Sequence, residues 1–416
     1  MTLPALCILK PMFDRLGILI GFSIVGILGA GIFVADALNL GTPNTFEAAL
    51  AQVKNCVQTE EKDFFECSRP AAEKMLDFKS ATEVMDELST TLTLQQCHFI
   101  GHIIGRQSFI RNQNIEDTIS SCTRTCESAC VHGAIGQAFA QELGLEDTGD
   151  TQRFDLKHMS LDDVLNIGRQ LCASPEACHG IGHVLFQIYG KFEPGLAMCR
   201  KIVEGSHRGY CYHGVYMEYA DILSSREIRT TPGVTYPSSE TLDSLCSSQP
   251  TFWEKMSCFP YFPRMVGATL QEGGISSDQA ARRVREICDS YLEKDNRAAC
   301  FFGIGVSSSY SLMKDAQSAT QICQEFPKLL DQTACNLGQV SASTRDRLPN
   351  VVAYCAALPD SSLRPSCYQA VFYYLNRSGA PMQDVMKLCK GDSVCERESK
   401  NYESIPLQWI LEGFET

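Results

Sequence analysis

Two hydrophobic patterns run along the chain. The first is a single block: residues 16–35, LGILIGFSIVGILGAGIFVA, hold 20 positions without a charge. At about 1.5 Å per residue such a helix spans about 30 Å, the thickness of a bilayer's hydrocarbon core. The second pattern is short and repeated. Apolar residues at helical spacing, as in ARRVREIC and LPNVVAYC, precede a polar segment such as DSYLEKDNRAA. A small-residue, apolar stretch then follows, as in CYHGVYMEYA, CFFGIGVSS, CNLGQVSAS and CYQAVFYYL. Few segments alternate with period two, and those that do are short, so strands are disfavoured. TTPGVTYPSS, residues 230–239, is broken by two prolines and is the clear candidate for a long loop.

Cysteines punctuate the repeated pattern at a fixed distance. Cys199 and Cys211 are 12 apart, and so are Cys246 and Cys258, Cys288 and Cys300, Cys323 and Cys335, and Cys355 and Cys367. Five equal spacings point to internal duplication. Shorter pairs continue the series at both ends: Cys56 and Cys67, Cys122 and Cys130, Cys172 and Cys178, and Cys389 and Cys395. Cys97 and Cys126 are left, a pair only by elimination, because three cysteines crowd residues 122–130. The pattern predicts an all-α fold of two-helix hairpins, each with a disulfide tying the end of helix A to the start of helix B. Successive first cysteines from Cys199 to Cys389 step by 47, 42, 35, 32 and 34 residues, the lengths of hairpin repeats that stack into solenoids. Gly or Ala stands three after the second cysteine in four of the five equal pairs, which predicts close approach of neighbouring helices. The arrangement resembles that of the cysteine-rich Sel1-like repeat proteins. The resemblance implies an exported α/α array with one disulfide per repeat. Those proteins use a shorter cysteine spacing, and no functional residue carries over.

The 21 cysteines also bear on the compartment, because a disulfide framework belongs outside the reducing cytosol. Lys10 and Arg15 precede the apolar block and Asp36 follows it. The positive-inside rule makes residues 1–15 a cytoplasmic tail and 16–38 a transmembrane signal anchor. A cleaved signal peptide is the alternative, with Ala35-Asp36-Ala37 as a small-x-small site. Either way the bulk is exported, to the periplasm or the cell exterior. A formal charge of −13 without a basic stripe argues against nucleic-acid binding.

Candidate chemistry lies in the histidines, of which there are only 8. Adding 81 to His98, His102 and His132 gives His179, His183 and His213, and Cys97 and Cys130 become Cys178 and Cys211. A two-hairpin unit is therefore duplicated with three histidines kept; His158 and His207 have no mates and read as surface residues. On a helix, positions i and i+4 share a face, so each CHxxGH pair presents two imidazoles together, a geometry that suits Zn, Cu or Fe. His132 and His213 open the next helix B, so each copy is expected to build one triad. The alternative joins both copies around one dinuclear centre. Histidines that cap helices or bond carbonyls are the structural reading. Phe99 and Gly180 stand where a zinc protease has its Glu, so that chemistry is not indicated. Glu218 is a weak catalytic candidate; its mate is Gln137, and an exposed acid is the simpler reading. Non-covalent haem between paired helices is a lesser option.

The domain reading follows. Residues 39–222 carry the duplicated motifs, 223–240 form a loop, and 241–416 hold repeats with no histidine. The leading function is metal binding, with a metalloenzyme as its extension. The rival is a scaffold that binds a protein or peptide on its repeat surface.

Overall fold

The computed structural model describes residues 44–401 apart from 57–60, 93, 124, 144–159, 226–233, 315, 345–347, 378–385 and 390. The expected tail and anchor, 1–15 and 16–38, lie outside the described residues. Among those described, no helix is long and apolar enough to cross a membrane, and none of the backbone is strand.

The N-terminal half comprises α1 (Phe46–Cys56), α2 (Glu61–Met75), α3 (Ala81–Thr91), α4 (Leu94–Asn112), α5 (Ile115–Ser121) and α6 (Thr125–Glu142). It continues through α7 (Leu161–Leu171), α8 (Pro175–Tyr189), α9 (Phe192–Ile202) and α10 (Arg208–Ser225). The C-terminal half holds α11 (Phe252–Cys258), α12 (Phe262–Glu272), α13 (Ser277–Ser290), α14 (Lys294–Lys314), α15 (Ala316–Gln324), α16 (Leu329–Thr344), α17 (Leu348–Ala357) and α18 (Arg364–Arg377). The loop expected at 223–240 is shorter than that: residues 234–238 are non-helical, but α10 continues to Ser225 and Ser239–Leu242 is a short helix.

Local chemistry sets these helices. In α13, Ser276 and Gln279 form a capping box, and Ala280, Val284, Ile287 and Cys288 are buried. Those four lie at helical intervals on one face, with charged side chains opposite. In α8, Ser174 accepts a bond from the Ala177 N–H, Pro175 occupies the first turn, and Gly190 closes the helix in the left-handed region at φ 63°.

The hairpins assemble as two layers. The even-numbered helices from α2 to α18 form a row in which each packs on the next; α1 covers α2, and α3, α5, α7, α9, α13, α15 and α17 each lie across two or more members of the row. Disulfides staple the layers together. The five equally spaced bonds join Cys199 with Cys211, Cys246 with Cys258, Cys288 with Cys300, Cys323 with Cys335, and Cys355 with Cys367. Shorter loops are closed by Cys56 with Cys67, Cys122 with Cys130, Cys172 with Cys178, and Cys389 with Cys395. The leftover cysteines, Cys97 and Cys126, are bonded to each other. A bond closing a loop of about 12 residues stabilises by about 3 kcal/mol through the unfolded chain. One apolar core runs from Phe109 to Cys395, and a second, from Phe46 to Cys130, meets it at α4 and α6.

Glycine permits the tight row. A methyl group added at Gly133 would lie 2.0 Å from the His102 carbonyl oxygen, and one at Gly214 would lie 2.0 Å from that of His179. The two glycines are copy-mates but their carbonyl partners are not: the mate of His179 is His98, so α6 meets α4 one turn further along than α10 meets α8, backbone to backbone in both cases. Gly214→Ala should therefore lower stability by about 1–3 kcal/mol, because main chain cannot yield as a side chain would. Gly267→Ala, where an added methyl meets nothing within 4 Å, should be neutral or stabilising by up to about 1 kcal/mol. Urea unfolding of both variants checks this; equal midpoints would refute the close-contact argument.

Candidate metal centre

Four adjacent members of the inner row carry the histidines. α4 bears His98 and His102, α6 bears His132, α8 bears His179 and His183, and α10 bears His213. His98, His132, His183 and His213 are buried; His102 and His179 are partly so. Five of the six rings meet in one cluster. Ring centroids are 4.6 Å apart for His98–His102, 5.5 Å for His98–His132 and 5.6 Å for His102–His132. They are 4.6 Å apart for His132–His179, 4.8 Å for His132–His183 and 5.0 Å for His179–His183. His102 and His183, one from each copy, are 5.7 Å apart.

The expectation of one triad per copy is corrected here. Among the described residues, two groups have ligand atoms mutually within 4.8 Å: the first is His98, His102 and His132, and the second is His132, His179 and His183. The second copy takes its third imidazole from the first. His213 sits at the margin, 6.4 Å from His179 and edge-on to Tyr261 at 5.7 Å. His207 is half-buried in the turn between α9 and α10, and His158 lies outside the described residues.

Hydrogen bonds fix which nitrogens face inward. His98 Nδ1 is 2.9 Å from the Cys126 carbonyl oxygen. A carbonyl only accepts, so Nδ1 carries the proton and the Nε2 lone pair is free to point into the cluster. His183 Nδ1 donates to Glu218 Oε2 at 2.7 Å, with the same consequence. Each of these Nε2 atoms faces the Nε2 of its helical neighbour, at 3.1 Å for His98–His102 and 3.0 Å for His179–His183. Two nitrogens bound to one ion at about 2.0–2.1 Å stand about 2.9–3.4 Å apart, so both pairs have the spacing of adjacent ligands. The buried Nδ1 of His132, at the centre, has no hydrogen-bond partner.

Carboxylates flank the rings. Glu218 is buried, held by His183 and by Gln187 Nε2 at 2.9 Å. This corrects the reading of Glu218 as an exposed acid and places it behind a candidate ligand. Asp221 Oδ2 lies 4.0 Å from His98 Nε2, and Glu127 Oε2 lies 3.8 Å from His98 Nδ1. Arg264 pairs with Asp221 on the outer side. Asp221, Glu127 and Arg264 were not singled out from sequence. The signal was present for Asp221, which shares a face with Glu218 at i+3 and whose copy-mate is Ala140.

A local backbone irregularity serves the same end. Cys126, Glu127 and Ser128 are left-handed, with φ of 53°, 57° and 58°. Such residues cost about 1–2 kcal/mol each, so the turn needs restraint. The bonds Cys97–Cys126 and Cys122–Cys130 clamp it on both sides. The turn aims the Cys126 carbonyl at His98.

Burial sets the protonation state. It drives the His98 pKa down to about 3, helped by the charge of His183. Burial, with the neighbouring rings, holds His102 and His132 well below 6.5. These imidazoles are therefore neutral near pH 7, the form that ligates metals. Burial alone would raise Glu218, but the hydrogen bond and charge of His183 outweigh it and keep this carboxyl below its ordinary value. Arg264 is lowered by burial, against the pull of Glu127 and Glu218.

No protein-family model, curated protein or solved structure matches the chain. The resemblance to Sel1-like repeats therefore rests on architecture alone.

The depressed histidines make the metal-free fold acid-sensitive, with a definite sign. Unfolded imidazoles take up protons below about pH 6.5; folded His98 does not until near pH 3, and folded His102 and His132 not until well below 6.5, so stability is complete above 6.5 and lost as pH falls. The loss is about 1.4 kcal/mol per pH unit for each such histidine. The metal-stripped protein should melt lower at pH 5.5 than at 7.5. Changing His98, His102 and His132 to Gln should remove most of that difference. Equal pH dependence in the two proteins would refute the burial argument.

Proposed function

We propose that this is an exported, disulfide-stapled helical-repeat protein whose buried histidine cluster binds a transition metal. The observation that carries the reading is the orphaned, buried His132 Nδ1 at the centre of five imidazoles. Purely structural histidines would each find a carbonyl or carboxylate. The rest of the chain strengthens the contrast. Two residues after the second cysteine, where the histidine repeats have His132 and His213, later repeats have Phe302 and Leu337, both 1% exposed. Pro260 fills the slot in another repeat, and Gln369 in the last, where it bonds Glu398; the apolar occupants avoid the desolvation that an imidazole suffers.

The donor set narrows the metal. Every cysteine from Cys56 to Cys395 is in a disulfide, so thiolate ligands are excluded there. Imidazole with nearby carboxylate suits Zn, Cu or Fe. Haem is disfavoured, because the rings that would flank it pack against one another. Convergence of the histidines also favours the metal reading over a pure scaffold, which needs no buried imidazoles. Residues 16–38 tether the protein to the membrane in this reading, and ten disulfides suit an oxidising exterior. The repeats of 241–416 supply the framework and the surface for a protein or peptide partner. A metalloenzyme is the extension of the same site, with Glu218 as the residue that orients His183 rather than the one that meets substrate.

Elemental analysis of the full chain, purified in mild detergent without chelators, should find stoichiometric metal. The triple variant with His98, His102 and His132 changed to Ala should hold almost none. Metal near zero in both would end the proposal. Glu218→Gln removes the charge behind His183 and should weaken metal affinity about 10–100-fold in competition with a chromophoric chelator. Unchanged affinity would show that the carboxylate does not support the ligand.

A further inference from the structure

We infer that the two triads form one dinuclear centre, with an ion in each and His132 as the ligand common to both. The inference rests on the metal reading above and deepens it.

Four observations converge on two ions rather than one. First, His132 belongs to both triads. Second, there are two Nε2–Nε2 pairs, at 3.1 and 3.0 Å, each spaced for a single ion. They are anchored from different partners: His98 by the Cys126 carbonyl and His183 by Glu218. The first copy holds the first histidine of its pair and the second copy holds the second. His132 lies beside both pairs and its Nδ1 is unpartnered. Third, the cluster's flanking charge suits more than one cation: among the described residues, the ion pairs around it set Glu127, Asp221 and Glu218 against Arg264. Fourth, the two copies have diverged in a complementary way. α10 adds Glu218 and Asp221 where the first copy has Gln137 and Ala140, while its own His213 is left at the margin. Two independent sites would each draw their own third histidine into the triad, and His213 is not drawn in. A composite site needs only one, placed centrally.

Asp221 is the carboxylate on the Nε2 side of His98, with Oδ2 4.0 Å from that nitrogen and Oδ1 turned to Arg264. His132 would present one ring nitrogen to each ion. A neutral imidazole has a single N–H, so occupying both nitrogens releases that proton to water when the second ion enters.

Copper(II) is the probe, because it binds nitrogen and oxygen sites most tightly among the common divalent ions. The full chain in detergent is stripped of metal, with His158 and His207 changed to Ala, and titrated with copper(II). Expected are two ions per chain and a paramagnetic resonance signal that integrates to well under two spins, because a shared imidazole couples the ions. His98→Ala should retain one ion, magnetically isolated, with a full single-spin signal. His132→Gln should abolish the coupling. His102→Ala repeats the His98 test, and helical circular dichroism together with a thiol count shows that each variant is folded with its disulfides intact. One ion per chain at saturation, or two ions with full uncoupled spin, overturns the shared centre and leaves metal binding standing. No bound copper overturns both.

Discussion

Neighbouring inner helices touch main chain to main chain, and almost everything else depends on that contact. Gly133 against the His102 carbonyl and Gly214 against that of His179 leave no room for a side chain. A row of helices this close has little volume between its members, so whatever projects there is buried at once. The disulfides make the contact repeatable. Bonds such as Cys288 with Cys300 and Cys323 with Cys335 tie the end of an outer helix to the start of an inner one. That sets where along its length each inner helix begins. Short helices that would be marginal alone thereby acquire a fixed register.

The same constraint explains why most of the histidine cluster is buried. A side chain two positions after the second cysteine enters the space between inner helices whatever its chemistry. Phe302 and Leu337 occupy it in two later repeats at no electrostatic cost, and His132 and His213 occupy it in the earlier ones. Imidazoles forced into that space must be neutral, must satisfy their nitrogens locally, or must share them with something else. His98 and His183 satisfy one nitrogen each through Cys126 and Glu218, and His132 Nδ1 satisfies none. An unmet donor set in a low-dielectric site is where a cation gains most.

Duplication supplied the parts, and divergence gave them different roles. Both copies keep CHxxGH and the later CxHG, yet only the first copy's third histidine reaches the centre. The left-handed turn at Cys126–Ser128, clamped by two disulfides, exists only in the first copy. The acids Glu218 and Asp221 exist only in the second. One copy thus contributes a strained backbone that orients a ring through a carbonyl, and the other contributes charge. Neither half is complete without its neighbour.

The sequence by itself determined the helical hairpins, nine of the ten disulfides, the close glycine contacts and the pairing of His98 with His102 and His179 with His183. Each of these follows from spacing within a few turns of chain: 12 residues from Cys355 to Cys367, for example, or i to i+4 on one helix face. Only the tertiary structure decided that His132 rather than His213 completes the second triad, that Cys97 bonds Cys126, and that Glu218 is buried behind His183. Those outcomes depend on the lateral offset between one inner helix and the next. That offset is set by how whole hairpins pack, and a shift of one turn, about 5.4 Å, would have paired different rings without altering any local pattern.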